Sequence, residues 1–320
     1  MHYDVFNGDA DGICSLHQLR LAYPRTSTLI TGVKRDIGLL QQVEGEHGDS
    51  ITVLDISLDK NREALLRLLN NGLTIDYFDH HFAGEIPPHP SLMAQIDTAS
   101  EVCTGLLVNN HLGGRYLPWA VVAAFGDNLF NSAVAAAREL DYDEEQLRLL
   151  EVLGTLLNYN GYGSQIEDLF FHPRELYEKV SPYESPFDFI NSDAAFATLN
   201  EGYSEDMQHA AEIGLQHKNA CCAMLILPNQ AWARRVSGVY SNQLARDNPD
   251  RAHALLTELP DGDFQVSVRA PLNNKTGADD LCRQFPSGGG RKAAAGINHL
   301  PASELDAFNA AFQAQFGNGS

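Results

Sequence analysis

The stretch Leu73-Thr-Ile-Asp-Tyr-Phe-Asp-His-His81 decides the fold prediction. Its first six residues predict a β-strand, and Asp79, His80 and His81 stand where that strand ends. One carboxylate and two imidazoles in succession are typical of a metal site, because they supply oxygen and nitrogen ligands. For an isolated Asp-His-His, a solvated turn that happens to contain histidines is the favoured alternative. The rest of the sequence therefore decides between the two interpretations.

Strands and helices are predicted to alternate over the first eighty residues. Predicted strands cover residues 2–6, 28–33, 51–54 and 73–78, and predicted helices cover residues 13–23 and 58–70. This alternation predicts an α/β fold with a parallel sheet, and such sheets bind ligands outside the carboxyl ends of their strands. Five potential ligands follow predicted strands: Asp9, Asp11, Asp55, Asp79 and His80. We therefore expect them to converge at one edge of the sheet.

Helices are predicted to fill the remainder of the first 200 residues. They cover residues 101–112 after Ser100 as N-cap, residues 119–125 before Gly126-Asp127-Asn128, and residues 132–157. The stretch 158–163 is rich in Asn and Gly and is predicted to end the last of these helices. The predicted catalytic domain thus spans residues 1–200, with a helical segment over about 130–200.

Converging carboxylates predict a bound cation. Carboxylates gathered at a sheet edge repel one another, and divalent cations neutralise such clusters. Carboxylates with one or two imidazoles and no thiolate suit Mn²⁺ or Mg²⁺, bound as one or two ions. Two such ions are a common arrangement for phosphoryl transfer. The ordered set of Asp-x-Asp, a later strand-end Asp, Asp-His-His and Gly-Asp-Asn predicts this chemistry far more strongly than any one motif.

The sequence changes character after about residue 200. A polar linker helix is predicted within residues 201–220, at 205–218, and a smaller α/β domain over 221–320 with strands at 223–227, 232–236, 252–257 and 264–269. A helix is predicted at 278–284, and another is expected to begin at Ala293, after Gly288-Gly289-Gly290. Backbone amides of such a loop, beside Arg291, can hold an anion. A flexible turn is the alternative for the loop, and an exposed strand residue is the alternative for Arg269 as an anion ligand.

Composition limits the class of protein. The 320 residues carry a net charge of −20, which argues against long nucleic acid as a ligand. The five cysteines form no Cys-x-x-Cys pair, so a reducing cytoplasm is the simplest compartment. The sequence predicts neither a signal peptide nor a membrane span. The oligomeric state is left open by the sequence.

The motifs resemble those of the DHH phosphoesterase superfamily, in the branch with a DHH-associated C-terminal domain. Members include RecJ-type exonucleases, short-oligonucleotide nucleases and cyclic-dinucleotide phosphodiesterases. The N-terminal resemblance is carried in order by Asp9-Ala-Asp11-Gly12, Asp55, Asp79-His80-His81 and Gly126-Asp127-Asn128. The C-terminal resemblance is carried by Ser267-Val-Arg269 and by the stretch from Gly288 to Gly296. Together these stretches span nearly the whole chain.

The resemblance implies a role for each matched residue. The implied metal ligands are Asp9, Asp11, Asp55, His80 and Asp127. Asp55 is also expected to take part in catalysis as the bridge between two ions, with His81 approaching the scissile phosphate and Asp79 orienting its neighbours. The implied substrate-binding residues are Arg269, Gly289, Gly290 and Arg291, which would hold a terminal phosphate in a cleft between the two domains.

Three positions depart from the family pattern. A histidine ligand usually stands at the position of Val5, and the exonuclease branch often has aspartate at the position of Asn7. One metal is therefore expected to be weakly held, or Asn7 to substitute in part through its carbonyl oxygen. Arg291 stands in place of the usual histidine after the three glycines, and an arginine keeps the anion-binding role.

The favoured function is a metal-dependent phosphodiesterase or exonuclease, and two alternatives remain. The enzyme is expected to release mononucleotides from single-stranded or short nucleic acid through a metal-activated water. The first alternative is hydrolysis of a cyclic dinucleotide or a nucleotide phosphate such as phosphoadenosine phosphate. The second is a non-catalytic, nucleotide-binding regulator with a degraded metal site, which the residue at position 5 keeps open.

Overall fold

A computed structural model describes residues 1–317 and divides the chain into two compact units. The first unit is Met1–Glu201 and the second begins at Gly202. Among the described residues, no helix combines the length and the apolar character that crossing a membrane requires. The helix predicted over residues 205–218 begins earlier, at Ala194, and ends at Ile213.

The first unit is built on five strands and nine helices, the last of which continues into the second unit. The strands are β1 (His2–Phe6), β2 (Thr28–Ile30), β3 (Ser50–Leu54), β4 (Thr74–Asp79) and β5 (Leu92–Ile96). The first four helices are α1 (Ala10–Ala22), α2 (Leu58–Asn70), α3 (Thr104–His111) and α4 (Leu117–Gly126). The next five are α5 (Phe130–Ala137), α6 (Glu144–Gly161), α7 (Pro173–Val180), α8 (Pro186–Ser192) and α9 (Ala194–Ile213).

The five strands form an all-parallel sheet in the order β2-β1-β3-β4-β5. Alternate residues of β1, β3 and β4, such as Val5, Val53 and Tyr77, are fully buried in one apolar cluster with the leucines of α2. On the opposite face, Arg20 of α1 forms an ion pair with the buried Asp4 of β1. The direction of winding reverses between β1 and β3, and such switch points are where open parallel sheets bind ligands.

Three helix predictions differ from the structure. The helix predicted over residues 132–157 is two helices, α5 and α6, because Asp143 caps the N-terminus of α6 in a capping box with Gln146. The helix predicted from residue 101 begins only at Thr104, so Ser100 is not its N-cap. The helix α6 continues to Gly161 through the stretch expected to break it. The amide of Asn160 makes two hydrogen bonds to the backbone of Phe171, and the buried Asn158 accepts a hydrogen bond from Lys34. Tertiary hydrogen bonds thus compensate for the weak helix propensity of asparagine.

The second unit contains a mixed sheet. Its strands are β6 (His217–Lys218), β7 (Cys222–Leu227), β8 (Ala252–Glu258), β9 (Phe264–Arg269), β10 (Gly288–Gly290) and β11 (Ala294–Leu300). Its further helices are α10 (Ala231–Asp247), α11 (Ala278–Cys282) and α12 (Leu305–Phe316). The strand order is β10-β11-β9-β8-β7-β6, and among the described strands of this sheet only β7 and β8 pair in parallel. The predicted α/β class, with a parallel sheet followed by a smaller α/β unit, is confirmed.

Two element predictions in the second unit are wrong. The strand expected at 232–236 is part of the helix α10, in which Val236, Val239, Tyr240 and Leu244 are buried at helical spacing. A five-residue window was too short to show that period.

The helix expected from Ala293 is instead the strand β11. It pairs with β9 on one side and with the glycine strand β10 on the other, and it buries Ala295, Ile297 and Leu300. Burial and pairing therefore override the helix propensity of three successive alanines. The glycine run is one strand of a hairpin and is followed by another strand. The predicted anion loop is therefore not followed by the helix that was expected to contribute its N-terminal amides.

Candidate metal centre

Three neighbouring strands deliver the acidic motifs to one edge of the sheet. Asp9 and Asp11 follow β1, Asp55 follows β3, and His80 follows β4, while Phe6, Leu54 and Phe78 lie in register across the three strands. Asp55 has a φ of 60°, a left-handed conformation that is uncommon for a residue other than glycine. Its backbone N–H donates to the carbonyl of Phe78 at 3.0 Å, which holds this strained turn in place.

The fourth motif reaches the same edge through close helix packing. Asp127 caps the C-terminus of α4, directly after Gly126. A Cβ atom at Gly126 would lie 2.3 Å from the Cβ of Ala10, so only glycine lets α4 approach α1 this closely. This contact explains why the Gly-Asp pair of the motif is needed to bring the Asp127 carboxylate to the strand ends.

His80 lies at the centre of the converging carboxylates. Its Nδ1 donates a hydrogen bond to the carbonyl oxygen of Val102 at 2.9 Å. In the neutral ring this leaves Nε2 with its lone pair, and Nε2 lies 3.5 Å from Asp55, 3.7 Å from Asp127 and 3.9 Å from Asp11. A histidine that donates one ring nitrogen to a backbone carbonyl and turns the other toward carboxylates has the usual arrangement of a metal ligand.

The N-terminus of α3 holds Asp11. Its two carboxylate oxygens accept the backbone N–H groups of Thr104 at 2.8 Å and Gly105 at 2.7 Å, where the helix dipole favours negative charge. The hydroxyl of Thr104 donates to Asp55 at 3.2 Å. Sequence analysis did not predict this role of Thr104, and the misplaced start of α3 is the reason.

Negative charge is in excess at this edge. Burial raises the pKa of Asp55 well above its usual value, and the carboxylates of Asp11, Asp9 and Asp127 raise it further. Burial also raises the pKa of Asp11, although His80 acts in the opposite direction. These directions mean that the cluster favours additional positive charge, whether as protons or as a cation.

Lys34 is a second residue of the site that sequence analysis missed. It lies in the loop after β2, and its ammonium forms an ion pair with Asp9, donates to Asn158 at 2.9 Å and lies 3.8 Å from Asp127. Burial by itself would lower the pKa of Lys34, but the carboxylate of Asp9 outweighs this effect and holds the pKa well above its usual value. Its one sequence signal is its place just beyond a predicted strand, which does not by itself indicate contact with Asp9.

Val5 and Asn7, the two positions in or near β1 that depart from the family pattern, have different surroundings. Val5 is fully buried in the apolar cluster and offers no ligand atom. Asn7 is buried beside the site, and its amide nitrogen donates to the carbonyl of Lys34 at 3.3 Å. Within residues 1–317, its amide oxygen has no hydrogen-bond partner.

His81 and Asp79 form a pair at the margin of the site. Nδ1 of His81 donates to Asp79 at 2.7 Å and lies 3.9 Å from Asp55. The Asp79 side chain is fully buried, whereas 38% of the His81 side chain is exposed. Asp79 therefore fixes the orientation of a ring that solvent and ligands can reach.

The donor set fits a divalent cation. Asp55, His80 and His81 each offer a ligand atom, and these atoms lie within 4.8 Å of one another. Among the residues that the structure describes, one buried oxygen of Asp127 has no hydrogen-bond partner. Carboxylate and imidazole donors without thiolates suit Mn²⁺ or Mg²⁺. A second group that could hold a cation, formed by Asp261, Asp263 and His299, lies in the second unit and is largely exposed.

The predicted substrate-binding residues all lie in the second unit. Arg269 ends β9, and its Nε donates to Asn242 at 2.7 Å. Gly289 and Gly290 belong to the hairpin strand β10, and a Cβ atom at Gly289 would meet no atom within 4 Å. Arg291 is exposed at the hairpin turn, where its backbone bonds to that of Ala294. Their phosphate-binding role stays a prediction.

Comparison with known proteins identifies the fold. No protein-family model and no curated protein sequence matches this chain. Solved structures do match it, and the first is the exonuclease RecJ bound to manganese, with a TM-score of 0.60, 16% identity, 98% of this chain covered and 89% of that chain.

Two further structures extend the comparison. RecJ from Thermus thermophilus in complex with Mn²⁺ has a TM-score of 0.63 at 16% identity, with 98% of this chain covered but only 51% of the RecJ chain. The pGpG-specific phosphodiesterase PggH from Vibrio cholerae has a TM-score of 0.62 at 14% identity and 98% coverage of both chains. The chain therefore has the two-unit fold of these phosphoesterases, and the predicted resemblance is confirmed at the level of the fold.

Proposed function

We propose that this chain is a metal-dependent phosphodiesterase that releases mononucleotides from single-stranded or very short nucleic acid. One observation carries the proposal: at the switch point of a parallel sheet, His80 turns Nε2 toward the buried carboxylates of Asp11 and Asp55 and the partly exposed carboxylate of Asp127, at 3.5–3.9 Å. Similarity in fold to a manganese-bound exonuclease and to a pGpG-specific phosphodiesterase supports the same chemistry.

The proposed metal ligands are Asp11, Asp55, His80 and Asp127, whereas Asp9, which was also expected to be a ligand, is paired with Lys34. A divalent cation held by these residues would lower the pKa of a bound water and offset the charge that develops on phosphate oxygens. The protein contributes orientation: α3 fixes Asp11, Thr104 fixes Asp55, and the carbonyl of Val102 fixes the His80 ring. Ligands held in this way need little rearrangement during the reaction.

His81 is the proposed contact to the scissile phosphate. Because Nδ1 is bound to Asp79, its other ring nitrogen is the atom that can donate to a phosphate oxygen when the ring is protonated. Asp79 then acts as a positioning residue.

Short substrates fit the charge of the chain better than long ones. A net charge of −20 repels polyphosphate backbones, and this repulsion grows with the number of phosphates that approach the protein. The match to the pGpG-specific phosphodiesterase PggH, which covers 98% of both chains, supports a dinucleotide as a second candidate substrate. Arg269 and Arg291 are the proposed partners of the substrate's terminal phosphate.

A substrate panel tests the proposal. The purified chain with Mn²⁺ is expected to cleave a dinucleotide or an oligonucleotide, and His80→Ala and Asp55→Asn are expected to abolish cleavage. His47→Ala is the matched control, because His47 is exposed in the same unit. Undiminished cleavage by the His80 and Asp55 variants would refute the proposed centre. Nucleotide binding without cleavage under any divalent metal would favour a regulatory protein.

A further inference from the structure

We infer that the ammonium of Lys34 permanently takes the place of one of two divalent cations, so that this centre binds a single metal ion. The inference rests on the metal site of the proposed function and specifies its composition. It assigns Asp9 to Lys34 and leaves Asp11, Asp55, His80 and Asp127 to the metal.

The surroundings of the ammonium are those of a built cation site. Lys34 Nζ is paired with Asp9, donates to the Asn158 amide oxygen at 2.9 Å, lies 3.8 Å from Asp127 and stands 5.5 Å from the ring centre of Tyr162. A carboxylate pair, an amide oxygen and an aromatic face are the groups that stabilise a partly buried ammonium.

The backbone of Lys34 is held as firmly as its side chain. Its N–H donates to the carbonyl of Gly161 at 2.9 Å, and its carbonyl accepts from the Asn7 side chain at 3.3 Å. Asn7 stands where the exonuclease branch often carries an aspartate, and here it helps to position the lysine. Because both its backbone and its ammonium are held by hydrogen bonds, Lys34 differs from a mobile surface lysine.

The ligands that a second cation would need are already engaged or missing. One oxygen of Asp9 accepts the N–H of Gly12 at 3.1 Å, and the other is paired with Lys34. Val5 is buried in the apolar cluster, and Asn7 supplies no negative charge. A second divalent cation at Asp9 would also stand beside a fixed ammonium, and like charges at a few ångströms in a partly buried site are costly.

The charges of the site are consistent with one metal. Asp9, Asp11, Asp55 and Asp127 supply four negative charges, which one ammonium and one divalent cation reduce to a single residual charge. A second divalent cation would leave a net positive site. Lys34 therefore supplies positive charge that a second divalent cation would otherwise provide to the four carboxylates.

Metal stoichiometry tests the inference independently of activity. All proteins carry His299→Ala, which disables the second group that could hold a cation. Equilibrium dialysis with Mn²⁺ is then expected to give one ion per chain when Lys34 is present, and electron paramagnetic resonance is expected to show uncoupled Mn²⁺. Lys34→Met removes the charge and replaces the side chain by an unbranched one that is one atom shorter, and the variant is expected to bind a second Mn²⁺ and to show a coupled pair. Lys60→Met, at an exposed position on α2, is the control and is expected to bind one ion.

A second variant separates the roles of the two motif aspartates. Asp9→Asn, which can still cap α1, is expected to change Mn²⁺ affinity less than about 3-fold, whereas Asp11→Asn is expected to weaken it by at least about 10-fold. Two ions bound with similar affinity when Lys34 is present would overturn the inference. A single ion in the Lys34→Met variant would overturn it as well. Absence of Mn²⁺ binding in every variant would instead refute the proposed metal centre as a whole.

Discussion

Replacing Asp55 by asparagine is expected to stabilise the metal-free protein and to remove its response to metal. Asparagine tolerates the left-handed φ of 60° at this position and keeps an oxygen for the Thr104 hydroxyl, so the turn itself is conserved. What changes is the charge. The substitution removes one of four clustered carboxylates, and the raised pKa of Asp55 shows that its ionised form is disfavoured in the fold.

The magnitude follows from the local electrostatics. A pair of like charges a few ångströms apart costs about 4 kcal/mol at the effective dielectric of a partly buried site, and proton uptake relieves part of that cost. We expect a gain of about 1–2 kcal/mol at pH 7, which corresponds to an increase in Tm of about 2–8 °C for a unit of this size. Mn²⁺ at about 100 times its Kd should stabilise the unmodified protein by about 2.7 kcal/mol and leave Asp55→Asn unchanged.

Thermal unfolding with and without Mn²⁺ measures both effects. Asp76→Asn is the matched control because Asp76 is exposed on β4, and its effect is expected to stay within about 0.5 kcal/mol. A metal-free Asp55→Asn protein that is less stable than the parent would refute the electrostatic reasoning. Equal stabilisation of both proteins by Mn²⁺ would remove Asp55 from the metal ligands.

Further predictions concern the histidine pair, pH and the second unit. Asp79→Asn is expected to lower kcat by about 100-fold with unchanged Mn²⁺ affinity, since it acts through His81; lost metal binding would make Asp79 a ligand. Burial lowers the pKa of His17 to about 4, so the unfolded chain binds the extra proton below about pH 6.5 and stability falls as the pH drops toward 4. The free energy of unfolding, measured in urea, is expected to fall by about 2–3 kcal/mol over this pH range. His17→Gln should reduce this dependence of stability on pH, and an unchanged dependence would contradict the role given to His17. Arg291→Ala is expected to raise KM about 10-fold at constant kcat, whereas an unchanged KM would exclude Arg291 from substrate binding.

The parts of the site that follow strands could be predicted from the sequence. Asp9, Asp11, Asp55 and His80 come directly after apolar runs, and a parallel sheet must bring the ends of such runs to one edge. That Asp127 joins them depends on the close packing of α4, which local pattern does not reveal. Its place in the motif order was the only available guide.

The parts that depend on tertiary contacts could not be predicted. The loop carrying Lys34 has no periodicity, and its place is set by hydrogen bonds to Asn7 and Gly161. The alanine-rich stretch after Arg291 favours a helix locally, yet pairing with β9 makes it a strand. In both cases residues distant in sequence decide the local structure.

The location of a bound cation tests the central claim most directly. Crystals soaked in Mn²⁺ and measured at a wavelength where manganese scatters anomalously are expected to show one strong peak in the first unit, next to His80 Nε2 and the carboxylates of Asp11, Asp55 and Asp127. Absence of a peak there, or manganese bound only at Asp261, Asp263 and His299 in the second unit, would contradict the account.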